Sequence, residues 1–271
     1  MENKIVKCGK LSISNSKPFT LIAGPCQLEN EKHALDVANQ LKQITQKLGI
    51  GLIYKTSFDK ANRTSLKGKR GAGLEKSLPV FDKIRNDLEL PVLTDVHTSE
   101  QCEIISKHVD VLQIPAFLCR QTDLLEAAAA TSACVNVKKG QFVAPSAMEF
   151  AVRKVHESGN ANCLLTERGS SFGYGDLIVD YRGFETMRAH APLVFDATHS
   201  AQKPAGSTGV TGGDRRLALP LARAAVAVGV DGLFMEIHPD PDRALSDAAN
   251  SLDFALFAQL LGQVEALRNI S

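Results

Sequence analysis

The stretch FTLIAGPCQLENEKHALDVANQLKQITQKLGIGLIYKTSF, residues 19–58, decides the fold. Its two ends, FTLIAGPC (19–26) and GLIYKTSF (51–58), are apolar runs of strand length that finish in polar residues. The segment between them, EKHALDVANQLKQITQKLG, carries its apolar positions at helical spacing. Two such strands are expected to pair in parallel through a right-handed crossover, because the intervening helix returns the chain to the same end of the sheet.

Outward from this unit the pattern repeats. Further runs are PVLTDVH (91–97), VDVLQIPAF (109–117), CVNVKKG (134–140), NCLLTERG (162–169), PLVFDATHS (192–200) and GLFMEIHP (232–239), eight in all. Helical patterns such as PSAMEFAVRKVHESG and RRLALPLARAAVAVG lie between them. Eight strand–helix units predict an α/β protein built as a (β/α)8 TIM barrel, with a doubly wound open sheet as the alternative. The opening KIVKCGKLSIS reads as two short strands about a Cys-Gly-Lys turn. It precedes the first barrel unit, so residues 1–16 are expected to form a hairpin capping the N-terminal face of a single domain spanning 1–271.

The 271-residue chain sets 31 Lys and Arg against 30 Asp and Glu, a formal charge of +1, with 44% hydrophobic residues. That balance offers no basic field for a nucleic-acid backbone and too much apolar side chain for disorder. The N-terminus lacks the apolar stretch of a signal peptide, and no run approaches the ~18 apolar residues of a membrane span. A cytoplasmic protein with no nucleic-acid or membrane partner is the expectation. Cys8, Cys26, Cys102, Cys119, Cys134 and Cys163 form no C-x-x-C pair, which points to reduced and mostly buried thiols.

Three stretches that follow strands are longer than usual connections: 59–73, 200–214 and 238–250. They are expected at the C-terminal face, where barrels of this kind place their chemistry. Strand ends and loops there collect Lys55, Lys60, Arg63, Lys138, Lys139 and Arg168. Clustered like charges repel, so the cluster calls for an anionic ligand; pairing with Asp59, Glu75, Asp95 or Glu167 is the competing explanation. A second set holds metal-ligand types. Cys26, His199 and Glu236 end the first, seventh and eighth runs, which are neighbours in a closed barrel, and Asp247 lies in the loop after the last. One thiolate, one imidazole and two carboxylates suit Zn, Fe, Co or Mn better than Ca or Mg, although each residue alone is commoner in a structural role. Glycine-rich pieces at 71–73, 172–175 and 208–213 fit phosphate cradles, lids or plain turns equally well.

Taken together, AGPCQLEN (23–30), KTSFDKANRTS (55–65), TDVH (94–97), QIPAFLCRQTDLL (113–125), NVKKGQF (136–142), ERGSSFGYGDLIVD (167–180), FDATHS (195–200) and EIHPDP (236–241) run in order through nearly the whole chain. They closely resemble the 3-deoxy-D-manno-octulosonate 8-phosphate synthases, also called 2-dehydro-3-deoxyphosphooctonate aldolases. The resemblance implies a homotetrameric (β/α)8 barrel that condenses phosphoenolpyruvate with D-arabinose 5-phosphate and releases inorganic phosphate. The related 3-deoxy-D-arabino-heptulosonate 7-phosphate synthases, which use erythrose 4-phosphate, typically have Lys-Pro-Arg-Thr-Ser where this chain has Lys60, Ala61, Asn62, Arg63, Thr64 and Ser65. The Ala-Asn pair favours the five-carbon sugar.

Carried over by motif, the resemblance puts Lys60, Lys138 and Arg168 around the phosphate and carboxylate of phosphoenolpyruvate. Ser57 and Gln113 serve as neutral donors there, and Lys55 lines the pocket. Asn62 meets the sugar near its reacting end, and Arg63 and Thr64 hold the sugar phosphate, aided by Arg120 of an adjacent subunit. Asp95 orients these groups. Lys60, Asn62, His199 and Asp247 are the expected catalytic residues. Metal-dependent members carry Cys at the position of Cys26, whereas metal-independent members carry Asn there and usually Cys-Asp-Gly-Pro in place of Ser246, Asp247, Ala248 and Ala249. Both positions here follow the metal-dependent pattern, which implies one divalent transition metal, its identity open, on Cys26, His199, Glu236 and Asp247. Two rivals remain: an aldolase forming a Schiff base at Lys138 or Lys55, and a sugar-phosphate-binding barrel without turnover.

Overall fold

A computed structural model describes residues 4–14, 16, 19–63, 66, 68–204 and 212–268. Strands β1 (Ile5–Cys8) and β2 (Leu11–Ser14) form an antiparallel hairpin with Cys8 opposite Leu11. The barrel strands are β3 (Thr20–Gly24), β4 (Gly51–Lys55), β5 (Val92–Asp95), β6 (Val111–Ile114), β7 (Cys134–Lys138), β8 (Cys163–Glu167), β11 (Leu193–Asp196) and β14 (Gly232–Glu236). Two short antiparallel ribbons interrupt the series, β9 (Ser170–Phe172) with β10 (Asp176–Ile178) and β12 (Gln202–Lys203) with β13 (Gly212–Gly213). The helices are α1 (Glu31–Lys47), α2 (Leu74–Asp87), α3 (Ser99–Ile105), α4 (Thr122–Ala129), α5 (Met148–Glu157), α6 (Gly183–Arg188), α7 (Ala218–Val228) and α8 (Phe254–Arg268).

The eight strands are all parallel and close on themselves in the order β11-β14-β3-β4-β5-β6-β7-β8. Closure disposes of the open-sheet alternative, since β14 pairs with both β11 and β3 and leaves no edge. Each expected apolar run contains its strand but continues past it. The surplus residues at each C-terminal end are those that leave the ladder to build the loops.

Alternation along the strands sorts the side chains into two cores. Leu21, Leu52, Val92, Leu112, Val135, Leu165, Leu193 and Leu233 point outward and pack under the helices. Helix α1 answers with Ala34, Val37, Ala38 and Leu41, and its first turn is capped by the Asn30 side chain, which accepts from the His33 amide at 2.9 Å. The inward set starts with Ile22, Ile53, Leu93, Val111, Cys134, Leu164, Val194 and Phe234, which join Val6, Cys8 and Ile13 of the hairpin in a second cluster. The hairpin therefore plugs the bottom of the barrel, as its position in the chain predicts.

Two residues further along the same inward face the chemistry changes. Ile53 is followed by Lys55, Leu93 by Asp95, Val111 by Gln113, Val194 by Asp196 and Phe234 by Glu236, all buried. The apolar layer thus forms the floor of a charged layer that opens toward the C-terminal face. Gly24, at the end of β3, is required by the closeness of β4: a Cβ there would stand 1.9 Å from the Lys55 carbonyl oxygen. Among the described residues no helix is long and apolar enough to cross a membrane.

Candidate active site

A cavity of about 880 Å³ opens at the C-terminal face above the charged layer. Lys55, Lys60, Asn62, Arg63, Asp95, Gln113, Lys138, Arg168, His199 and Asp247 line it, together with Phe117, Gln141, Gln202 and the 244–249 turn. The stretches 59–73, 200–214 and 238–250 contribute walls, as expected, although residues 205–211 and Thr64, expected at the sugar phosphate, lie outside the described residues.

The cations are held by buried carboxylates. Lys55 Nζ lies 3.0 Å from Glu236 Oε1 and donates to the Cys26 carbonyl at 3.1 Å. Lys138 Nζ donates to Asp196 Oδ2 at 2.6 Å and sits over the Phe234 ring, and Lys60 Nζ is 3.9 Å from Glu236 Oε1. Arg168 is buried with its Nη1 unpartnered among the described residues. Arg63 gives three of its five N–H donors to Lys69 O, Ser246 Oγ and Leu245 O, and so latches the 59–73 loop to the 245–246 turn. Asn62 is exposed on the cavity wall.

One expected member leaves the cluster. Lys139 follows the inward Lys138 and therefore points outward, where it is fully buried; its Nζ meets Gly140 O, Ser170 Oγ at 3.0 Å and Glu167 at 3.5 Å. It ties the loops after β7 and β8 together and does not line the cavity. Arg120 is exposed and is absent from the cavity wall of its own chain.

Ser57 Oγ donates to Asp95 Oδ2, and Gln113 Nε2 donates to Asp95 Oδ1 at 2.7 Å. The ladder continues from Asn136 Nδ2 to Gln113 Oε1 at 2.9 Å and from Thr166 Oγ1 to Asn136 Oδ1 at 2.8 Å. Each amide orientation is set by its neighbour, so the row is fully paired and rigid. Asn136 and Thr166 were legible by counting back two residues from Lys138 and Arg168.

Cys26, His199, Glu236 and Asp247 converge, with one ligand atom from each lying within 4.8 Å of the others. Cys26 Sγ donates to Asp247 Oδ2 at 3.0 Å, and His199 Nε2 faces Glu236 Oε1 at 3.3 Å. Asp196, which sequence reasoning missed, accepts from His199 Nδ1 at 2.7 Å and so turns the Nε2 edge of the ring toward the cluster. Its signal was its place three residues before His199 in FDATHS. Glu236 Oε2 is buried without a hydrogen-bond partner among the described residues, an acceptor that a cation would satisfy. Burial, then the Glu236 carboxylate, pushes the Cys26 thiol up, and a divalent cation would reverse that effect. The donor set therefore fits a divalent transition metal. Asp247 adopts a φ of 50°, in the left-handed region that Asp enters more readily than most non-glycine residues.

A second group, Glu29, His33 and His238, also has clustered ligand atoms. The Asp240 amide donates to His238 Nδ1 at 3.0 Å, so Nε2 carries the proton and donates to Glu29 Oε1 at 3.2 Å. That leaves His238 no lone pair for a metal. Glu29 instead accepts from the Leu245 amide at 3.2 Å and props the turn that carries Asp247.

Burial alone would raise Asp95 and Asp196. The Lys55 and Lys60 ammoniums hold Asp95 well below the usual carboxylate range, and His199 and Lys138 do the same for Asp196. A depressed folded pKa stabilises the protein above the unfolded value, ~3.9, and that contribution is lost as pH falls toward the folded value. Each carboxylate is expected to cost about 1 kcal/mol of stability between pH 4 and pH 3. Urea midpoints at pH 7, 4 and 3 check this: little change above pH 5 and a steep fall below pH 4. A flat acid limb would mean that these pairs are not ionised.

The family description "DAHP synthetase I family" matches residues 3–270. The 2-dehydro-3-deoxyphosphooctonate aldolase of Chelativorans sp. (strain BNC1) is 56% identical over 270 residues, covering 99% of this chain and 98% of that one. Those of Brucella ovis and Brucella melitensis biotype 1 are 57% identical over the same span, with the same coverage. A shared sequence of this extent, laid over a closed barrel with the motif residues around one cavity, assigns the chain to the DAHP synthetase I family, among the 2-dehydro-3-deoxyphosphooctonate aldolases.

Proposed function

We propose that the chain condenses phosphoenolpyruvate with D-arabinose 5-phosphate to give 3-deoxy-D-manno-octulosonate 8-phosphate and inorganic phosphate. The observation that carries the reading is the convergence of Lys60, Lys138 and Arg168, the last with a free buried donor, on one cavity beside the Cys26, His199, Glu236 and Asp247 cluster. In the reaction C3 of phosphoenolpyruvate attacks the aldehyde carbon, whose oxygen takes up a proton. Water adds at C2, and cleavage of the C2–O bond releases phosphate.

Orientation supplies much of the catalysis. With Lys60, Lys138 and Arg168 on the phosphate and carboxylate of phosphoenolpyruvate, and Arg63 and Thr64 on the sugar phosphate, the two reacting carbons are held near contact. Such fixing removes roughly 7–11 kcal/mol of barrier in the best model reactions. Gln113, anchored on Asp95, has a second amide N–H to offer as a neutral donor. Ser57, whose one O–H is on Asp95 and which does not line the cavity, would serve there only if that bond is exchanged. Lys55 lines the pocket, and Asn62 meets the sugar near its aldehyde. A divalent metal held by Cys26, His199, Glu236 and Asp247 would supply Lewis acidity at the aldehyde oxygen or at the attacking water.

Schiff-base chemistry needs a neutral amine, whereas Lys55 and Lys138 are the cationic halves of buried pairs at 3.0 and 2.6 Å. The direct test is phosphate release: it is expected only when phosphoenolpyruvate and arabinose 5-phosphate are supplied together. A large preference in kcat/KM for erythrose 4-phosphate would defeat the sugar assignment, and no release with either sugar would leave a binding barrel.

The active form in this reading is a homotetramer in which Arg120 completes a neighbour's sugar-phosphate site. Its support is the exposure of Arg120 and of Phe117, which is 55% exposed at the cavity rim. Light scattering at assay concentration should find a tetramer; a fully active monomer would remove this assignment.

A further inference from the structure

Gln202 stands between the two halves of the site. Its Oε1 accepts from Arg168 Nη2 at 2.5 Å, and its Nε2 donates to Asp247 Oδ1 at 2.5 Å. Only one amide orientation is possible, because a flip would set NH2 against a guanidinium and oxygen against a carboxylate. One amide thus touches both Arg168, a cation on the cavity wall, and Asp247, a member of the metal-ligand cluster.

The backbone around it is equally constrained. Gln202 pairs with Gly213 across the β12/β13 ribbon. A Cβ on Gly213 would stand 1.8 Å from Asn250 Oδ1, so the ribbon lies directly against the loop that carries Asp247. Arg215 closes the other side, its amide donating to Ala249 O at 3.1 Å and its Nη2 to Ala248 O at 2.8 Å. Asp247 adopts a left-handed backbone conformation, and its second oxygen, Oδ2, already receives Cys26 Sγ and Ser246 Oγ. The Gln202 bond on Oδ1 therefore fixes the rotation of the carboxylate and aims Oδ2 at the cluster.

We propose that Gln202 is a positioning residue that couples the anion pocket to the metal-ligand cluster. An anion on Arg168 Nη1 locks the guanidinium, the guanidinium locks Gln202, and Gln202 locks Asp247. The ordering cost shared by the two sites is met by whichever ligand binds first, so each tightens the other by the same factor. This inference rests on the reading given under Proposed function, which supplies phosphoenolpyruvate as the anion and a divalent transition metal as its counterpart.

The test measures binding and involves no turnover. Cobalt(II) affinity is read from its thiolate absorption band in competition with a chromophoric chelator, with and without saturating phosphoenolpyruvate. The wild type is expected to bind cobalt about tenfold more tightly when phosphoenolpyruvate is present, within the usual range of coupling. Gln202→Leu, which removes both bonds, and Gln202→Asn, which keeps the amide but is one methylene too short to span both partners, should each bring the ratio below about threefold with melting temperatures near wild type. A variant that keeps the full wild-type ratio overturns the proposal, as does a parallel loss of both affinities with a lowered melting temperature, which marks a merely structural role. A wild type that binds both ligands without coupling sinks this inference alone. A wild type that binds neither sinks the underlying reading with it.

Discussion

Lys138→Met is expected to lower kcat/KM by about a thousandfold, the upper end for loss of one preorganised charge in a water-poor site. Lys138 ends β7 on the inward face, its Nζ 2.6 Å from Asp196 and 4.4 Å from the centre of the Phe234 ring. Its substitution removes a cation from the proposed phosphoenolpyruvate site and also strips Asp196 of its ammonium partner. Asp196 is fully buried, and its remaining partners are His199 and the Thr198 hydroxyl. Breaking a buried pair from one side costs about 3–5 kcal/mol, so the single variant should also lose stability. The double variant Lys138→Met/Asp196→Asn separates the two effects, because it removes the orphaned charge. It should recover much of the stability and none of the activity. Steady-state kinetics beside urea melts read both quantities; a loss in kcat/KM smaller than tenfold in the folded single variant would take Lys138 out of the substrate site.

If the proposed metal is bound at this cluster, chelation is expected to abolish turnover altogether, and a divalent transition metal should restore it. The argument starts from the donors: a thiol whose proton points at Asp247, an imidazole turned by Asp196, and a Glu236 oxygen buried with no partner. Such a set leaves one buried carboxylate oxygen that a bound cation would satisfy, even with Lys55 and Lys60 on the other oxygen of Glu236. Cys26→Ser should weaken thiophilic metals most, because it removes the softest donor. Cys26→Asn is more informative, since Asn is the residue that the resemblance associates with metal-independent members. That variant should keep measurable activity below wild type that EDTA does not touch. His199→Ala should not recover with any added metal, because it removes a proposed ligand and leaves Asp196 without the ring it orients. Wild-type enzyme shown by elemental analysis to be metal-free, yet turning over at its full rate in EDTA, would end the metal assignment.

What could be read from the chain alone followed from short-range periodicity. The eight apolar runs became the eight strands of a closed barrel, and the early Cys-Gly-Lys turn became a hairpin plug. Strand alternation is a local property, so the inward placement of Lys55, Asp95, Gln113, Lys138 and Glu236 was fixed by counting in twos from the floor residues. The same count shows why Lys139, adjacent to Lys138, belongs to a buried structural pair with Glu167 and not to the cavity. Cys26, His199, Glu236 and Asp247 could be named as candidates because the first, seventh and eighth strands become neighbours once the barrel closes.

The tertiary structure alone decided how those groups are joined. That Asp196 turns His199, that Glu29 props Leu245, and that Gln202 bridges Arg168 and Asp247 all depend on loop geometry and on atoms brought together from distant parts of the chain. Sequence periodicity carries no information about such contacts, because a loop's path is set by the packing of its neighbours and not by its own repeat. The chain therefore specified which residues face the site, through the two-residue period of its strands. Which of them touch, and with what consequence for charge and ligand binding, was settled by barrel closure and the packing of three loops upon one another.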